Sequence, residues 1–252
     1  MEKDLTGKAV IVTGAASGIG QATALLYATH GAKVVVSDIH EQAGDKVVDQ
    51  IKSAGGEAIF IKADVSNPEE CEQLVAKTLE AFGGIDIAFN NAGIGGEANR
   101  IGDMSIEGWN KIIAVNLSSV FYCMKYQLLQ MEKQSKGVII NNSSILGSVG
   151  FANSAGYVAA KHGVVGLTKN AALEYSSKGI RINAIGPAFI NTPLLTEAGI
   201  EGDIKHALVQ LHPLGRFGES NEVAELVIWL SSDKASFVTG SYYAIDGGYL
   251  AQ

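Results

Sequence analysis

Short apolar, β-branched runs recur along this chain. Each is closed by glycine, aspartate or asparagine and followed by apolar residues at helical spacing. Lys8-Ala9-Val10-Ile11-Val12-Thr13 stops at Gly14-Ala15-Ala16-Ser17-Gly18-Ile19-Gly20, after which Ala22, Leu25, Leu26 and Tyr27 carry a helix to Gly31. Continuous apolar runs suit strands buried on both faces, and a 3.6-residue spacing suits the helices that cover them. The pattern continues with a strand over Lys33–Ser37 ending at Asp38, a helix from Ala43 to Ala54, and a strand over Ala58–Ile61 leading to Asp64-Val65. Asn67-Pro68 opens the next helix, with a capping asparagine and a proline in the first turn. A fourth strand, Ile85–Phe89, ends in Asn90-Asn91-Ala92-Gly93. A long helix from Met104 to Met131, interrupted around Asn116, precedes strands at 137–142, 180–185 and 242–245, with a helix opening at Glu219–Glu222 before the last. Regular alternation of strand and helix predicts a parallel sheet with right-handed crossovers, whose ligands sit at the strands' C-terminal ends.

Residues about 188–214 lack clear periodicity, which predicts a mobile lid over those ends. Neither a boundary nor a repeat divides the rest, so 1–252 reads as a single domain. Composition narrows the function. The chain is 47% hydrophobic with net charge −7 and no Lys/Arg run, which argues against a nucleic-acid partner. Met1-Glu2-Lys3-Asp4-Leu5 has no apolar leader and no apolar stretch is long enough to span a bilayer, so a cytoplasmic location is expected. Cys71 and Cys123, in different predicted helices and without metal-ligand spacing, are expected as free thiols.

Three stretches carry candidate chemistry. In the first turn, Gly14, Gly18 and Gly20 let the backbone approach a pyrophosphate at a helix N-terminus. Asp38, eighteen positions after Gly20, can accept both adenosine ribose hydroxyls of NAD. It would repel the 2′-phosphate of NADP by roughly 4 kcal/mol for one like-charge pair at about 4 Å. Its neighbours Ser17 and Ile39 are neutral, and its bland alternative is a strand-end carboxylate facing water. Then comes Ser144 through Lys161. Tyr157 and Lys161, four apart, share one helix face, where an ammonium is expected to lower the phenol's pKa; Ser144 can present a hydroxyl to the same spot. Finally, Asn116 sits among apolar helix residues, where an amide is costly unless used.

Thr13-Gly14-x-x-x-Gly18-x-Gly20, Asn90-Asn91-Ala92-Gly93, Asn116, Ser144, Tyr157-x-x-x-Lys161 and Asp246-Gly247-Gly248 together resemble the short-chain dehydrogenase/reductase family, over nearly the whole chain. Ser144 and Tyr157 are thirteen positions apart, the family's usual separation. Asn91–Glu97, Ser144–Asn153 and the tail from Gly248-Tyr249 are most similar to bacterial NADH-dependent carbonyl reductases of the levodione reductase type. The resemblance implies a Rossmann-type doubly wound three-layer αβα sandwich (fold class α/β) with a seven-stranded parallel sheet. It implies Tyr157 as acid or base, Lys161 as its partner and holder of the nicotinamide ribose, Ser144 as donor to the substrate oxygen, and Asn116 as holder of a relay water. NAD would lie on Gly14, Ser17, Gly18, Ile19 and Gly20, with Asp38 and Ile39 at the adenosine ribose and Asp64 and Val65 at the adenine. Asn91, Ala92 and Gly93 would line its middle, and Pro187, Ile190 and Thr192 its carboxamide end. Ala188 departs from the glycine common after that proline. A neutral, apolar ketone or alcohol is the expected substrate, walled by Ile94, Ile145, Leu146, Phe151, Phe189, Leu194 and Leu195, with Glu97 at the rim. The family also implies a homotetramer. In some relatives a C-terminal Gln lies near magnesium; Gln252 leaves that open, a frayed end being the simpler reading, and no other metal is expected.

The rival readings are a non-catalytic NAD-binding redox sensor, a nucleotide-sugar epimerase or dehydratase on the same scaffold, and an acyl-carrier-linked ketoacyl reductase. The last is opposed by the acidic balance and Asp38.

Overall fold

The computed structural model describes residues 4–251, so the Gln252 expectation lies outside the described residues. Six strands, β1 (Ala9–Thr13), β2 (Lys33–Asp38), β3 (Glu57–Lys62), β4 (Ile87–Asn90), β5 (Gly137–Asn142) and β6 (Ile180–Pro187), pair in parallel. Two short strands, β7 (Ile190–Asn191) and β8 (Gly218–Glu219), pair only with each other, and β9 (Tyr242–Ile245) completes the large sheet. Its order is β3-β2-β1-β4-β5-β6-β9, the seven strands expected. The order reverses at β1 and β4, so the loops after these strands part and open a crevice at their C-terminal ends.

Alternation along the strands builds two cores. Val10, Val12, Val34, Val36, Phe89 and Ile140 face Tyr27 of α1 (Gly18–Thr29), Val47 and Ile51 of α2 (Glu41–Ser53) and, later in the chain, Val223 and Val227. The intervening residues Ile11, Val35, Ala88, Ile139 and Ile182 face Leu74 of α3 (Pro68–Phe82) and residues of the central helices. Asn67 caps α3 as expected, its side chain accepting from the backbone N–H groups of Glu69 and Glu70.

The long central helix is α4 (Ile106–Ile113), a π-helical turn over Ala114–Ser118, then α5 (Ser119–Gln134). Length and composition alone would let Ile106–Gln134 cross a membrane, contrary to the sequence expectation. Instead Val120, Met124, Leu128 and Met131 pack it into the second core, which makes it a core helix of this fold. α6 (Ala155–Tyr175) packs beside it. The lid region is more regular than its sequence suggests: it holds α7 (Pro193–Glu197) and α8 (Gly202–Val209) before α9 (Ser220–Ser231). Helices of five and eight residues are too short to display a clear period. Cys71 and Cys123 are buried free thiols, their Sγ atoms 3.7 Å apart.

Behind the strand ends lies a closed polar network. The Asn90 and Gln127 side chains exchange two hydrogen bonds of 2.8 and 3.1 Å. Asn90 also donates to Asn141, whose amide donates to Thr168 Oγ1 on α6. Leaving a buried polar group without its partner costs about 1–3 kcal/mol. Gln127→Leu is therefore expected to lower unfolding free energy by about 2 kcal/mol, measured by urea denaturation; an unchanged midpoint would mean that the network carries no net stability.

Candidate active site

β1 ends at Thr13, and the chain turns at Gly14 (φ +62°) and Gly18 (φ +53°), a left-handed geometry that side chains resist. A Cβ on Gly20 would collide with the Gly14 carbonyl, and one on Gly14 would lie 2.8 Å from Ala92 Cα. The turn thus packs directly on the loop after β4. The α1 N-terminus has no side-chain cap from Ser17 and no acidic residue in its first turn, which leaves its N–H groups for an anion. Asp38 closes the crevice from β2. Its carboxylate accepts from the Ala16 N–H at 3.1 Å and the His40 N–H at 3.0 Å, so it is held against the glycine turn rather than left in water. Ile39 beside it is half exposed (52%).

Asp64 turns its carboxylate onto Ser66, and Val65 is buried with its carbonyl accepting from Cys71 Sγ. Asn91 ties three strands together. Its amide donates to the Thr13 and Gly14 carbonyls and its oxygen accepts from Asn142. Thr192 lies close enough that a Cβ on Gly18 would meet its Cγ2 at 3.2 Å. The 190–192 segment therefore borders the glycine turn, and Ala188 continues the sheet by donating to the Ile245 carbonyl. Backbone close to backbone and a helix end without its own acceptor fit a dinucleotide.

Tyr157 and Lys161 sit on the first turns of α6, one above the other, with Lys161 Nζ 5.4 Å from the Tyr157 ring centroid. The Ser144 hydroxyl lies beside the Tyr157 phenol and favours its ionised form. Ser144 Oγ accepts from the Leu146 N–H (3.1 Å) and donates to the Pro187 carbonyl (3.4 Å). Lys161 is 3% exposed and donates to the Asn142 carbonyl at 2.8 Å. The expected lowering of the phenol's pKa is not what this arrangement produces. Burial pushes Tyr157 up to about 12, only partly offset by Ser144, while burial brings Lys161 down to about 8. Desolvation outweighs attraction here because Lys161 is buried and Tyr157 half-buried, and the ammonium is turned to a neutral carbonyl.

Asn116, fully buried in the π-turn, spends its amide on Ile94: Oδ1 accepts from the Ile94 N–H (2.9 Å) and Nδ2 donates to the Ile94 carbonyl (2.8 Å). A Cβ on Gly93 would lie 2.7 Å from Asn116 Oδ1 and 3.8 Å from Lys161 Nζ. Asn116, Gly93 and Lys161 therefore meet.

Of the expected substrate wall, Ile145 and Leu146 are buried behind Ser144, and Phe151 meets Phe189 edge-on at 6.0 Å. Leu194 approaches Gly95, whereas Leu195 lines a separate cavity of about 270 Å³ with Thr192, Ile200, Lys205 and Phe217. Glu97 accepts from Ser105, the N-cap of α4, which in turn holds its pKa below the usual carboxylate value. It braces a loop. Sequence reasoning missed Thr13, which binds the Asn91 and Ala92 N–H groups, and Asn142, which anchors Lys161. It also missed Tyr242, whose hydroxyl donates to the Ser144 carbonyl at 2.8 Å from the far edge of the sheet. Thr13 and Asn142 each had a signal, a place at the end of a strand, and Tyr242 had none.

A family model described as Enoyl-(Acyl carrier protein) reductase matches residues 14–250. The cyclohexanol dehydrogenase of Acinetobacter sp. (strain SE19) is 49% identical over 252 residues, covering 100% of this chain and 98% of its own. This chain is a short-chain dehydrogenase/reductase. Similar too are a 2,5-dichloro-2,5-cyclohexadiene-1,4-diol dehydrogenase of Sphingobium indicum, 46% identical over 98% of this chain and 99% of its own, and the crystal structure of levodione reductase. The latter matches with a TM-score of 0.94 at 39% identity, over 98% of this chain and 99% of that one. As a short-chain dehydrogenase/reductase with such relatives, the protein is an oxidoreductase acting on a secondary alcohol or its ketone, in a family that typically uses a nicotinamide cofactor.

The lysine geometry has a consequence for stability. A base whose pKa falls from 10.5 to about 8 on folding weakens the fold while charged, so stability rises as pH climbs from 8 toward 10.5. Urea unfolding should show the wild type gaining about 3 kcal/mol over that range relative to Lys161→Met. Parallel pH curves for the two proteins would show that the ammonium is not desolvated.

Proposed function

We propose that this protein is an NAD(H)-dependent secondary-alcohol dehydrogenase and carbonyl reductase acting on apolar cyclic or aryl alcohols and ketones. The observation that carries this reading is the Ser144–Tyr157–Lys161 cluster, set at the strand ends across the crevice from Asp38 and the glycine turn. Gly14, Ser17, Gly18, Ile19 and Gly20 would hold the pyrophosphate, Asp38 and Ile39 the adenosine ribose, Asp64 and Val65 the adenine, and Asn91 to Gly93 with Pro187, Ile190 and Thr192 the rest. The dinucleotide, when bound, supplies the hydride donor or acceptor at nicotinamide C4.

In reduction, Tyr157 donates its proton to the carbonyl oxygen, which also receives a hydrogen bond from Ser144. A phenol pushed up to about 12 is fully protonated at neutral pH and ready for that step. Lys161 places a positive charge beside the phenolate left behind, and Asn116 keeps Gly93 and Ile94 beside the ammonium. In oxidation Tyr157 works as the base, and the rate is expected to rise with pH. Residues about 188–214, with α7 and α8, would close over the substrate within a single 1–252 domain. Phe121, Leu129 and Leu173 are about half to nearly fully exposed on α5 and α6, which supports burial of that face in a homotetramer. Free thiols and an acidic balance support a cytoplasmic location.

The deciding test is NAD⁺ and, separately, NADP⁺ reduction with cyclohexanol. Turnover is expected with strong preference for NAD⁺, and Asp38→Ala should cut that preference by at least about tenfold. Tyr157→Phe should lose about 10²–10⁴ in kcat while the protein stays folded. Near-normal turnover by Tyr157→Phe would sink the mechanism, and a clear NADP⁺ preference would overturn the role given to Asp38.

A further inference from the structure

Where β6 leaves the sheet, five rings gather. Phe189 stacks on Phe217 at 5.5 Å and meets Phe151 at 6.0 Å, His212 at 5.7 Å and Tyr249 at 6.3 Å. His212 in turn lies edge-on to Phe217 (5.6 Å) and Tyr249 (5.4 Å) and is 3% exposed. Its Nδ1 is 2.9 Å from the Leu208 carbonyl oxygen. A carbonyl only accepts, so Nδ1 carries the hydrogen, and in the neutral ring Nε2 is a bare acceptor. That Nε2 is buried and has no hydrogen-bond partner among the described residues. A buried acceptor without a donor costs about 1–3 kcal/mol, and a phenylalanine would fill the same aromatic nest without that cost.

The cluster borders the reaction centre. The Pro187 carbonyl, two residues before Phe189, accepts from Ser144 Oγ, and Phe151 lies on the segment joining Ser144 to α6. Phe189, Phe151 and Tyr249 are only partly buried, so they are the rings a ligand would part to reach the imidazole.

We propose that His212 is a specificity-determining residue whose Nε2 accepts a hydrogen bond from a second hydroxyl on a cyclic alcohol substrate, remote from the carbinol that is oxidised. This rests on the cyclic-alcohol reading above. A hydroxyl is the required group because the bare nitrogen needs a donor, which a ketone, ether or halogen does not supply. Sites built around a polar group discriminate against the analogue that lacks it, because the protein group is then left unpaired.

The test compares kcat/KM for cyclohexanol and for cis- and trans-1,4-cyclohexanediol with NAD⁺. The wild type is expected to favour one diol isomer over cyclohexanol by about tenfold or more, mainly through KM. His212→Phe should bring that ratio close to one, and His212→Gln, which keeps an acceptor, should restore part of it. A second measurement needs no variant: in wild-type protein labelled with ¹⁵N-histidine, the favoured diol should shift the unprotonated ring nitrogen of one histidine, and cyclohexanol should not. If cyclohexanol is oxidised but the ratio is the same in wild type and His212→Phe, or the nitrogen does not move, the role of His212 is overturned while the dehydrogenase reading stands. If no alcohol is oxidised at all, that reading fails and the inference fails with it.

Discussion

Lys161 is an ammonium held where water does not reach. Its direct bond runs to the Asn142 carbonyl at the end of β5, and burial draws its pKa down to about 8. Much of the site follows from the need to hold that charge. Ser143 Oγ donates to the Lys161 carbonyl, fixing the helix turn that carries it, while Asn142 is itself tied through Asn91 to the carbonyls of Thr13 and Gly14. The chain of bonds runs from a helix on one side of the crevice to the glycine turn on the other. A buried charge repays its desolvation only in a fixed polar setting, and here that setting is the carboxyl edge of the parallel sheet.

The same edge explains why function sits where backbone is irregular. Strand ends leave N–H and C=O groups that no ladder satisfies, and in this protein side-chain amides and hydroxyls take them up: Asn91, Asn116, Thr13 and Tyr242 each bind main chain near the crevice. These groups align the segments that carry Tyr157, Ser144 and Asp38. The π-turn at Ala114–Ser118 belongs to this scheme, since it lets one long helix deliver the Asn116 amide to Ile94 while Val120 onward stays in register with the core.

The strands and covering helices were legible because burial on two faces demands continuous apolar runs, as in Val10-Ile11-Val12 and Val34-Val35-Val36, and because helices need a 3.6-residue stripe. Asn67-Pro68 announced its helix by local capping chemistry alone. Tyr157, Lys161 and Ser144 were legible through spacing and a family pattern. The lid helices were not: α7 and α8 are too short for periodicity, and neither has a buried residue to mark an apolar face. The phenol's environment was not legible either, for spacing reports that two groups are close and says nothing of how much water each has lost.

What the sequence determined by itself was local: which segments form strands and helices, where glycine must turn the chain, and which chemistry-bearing residues lie four or thirteen positions apart. Tertiary structure decided what depends on residues distant in the chain. Tyr242 reaches Ser144 across ninety-eight positions, Asn142 anchors Lys161 from nineteen away, and His212 joins Phe189 and Tyr249 in one aromatic nest. Hydrogen bonds and desolvation act over a few ångströms of space whatever the separation along the chain, so only the folded sheet decides which groups share them.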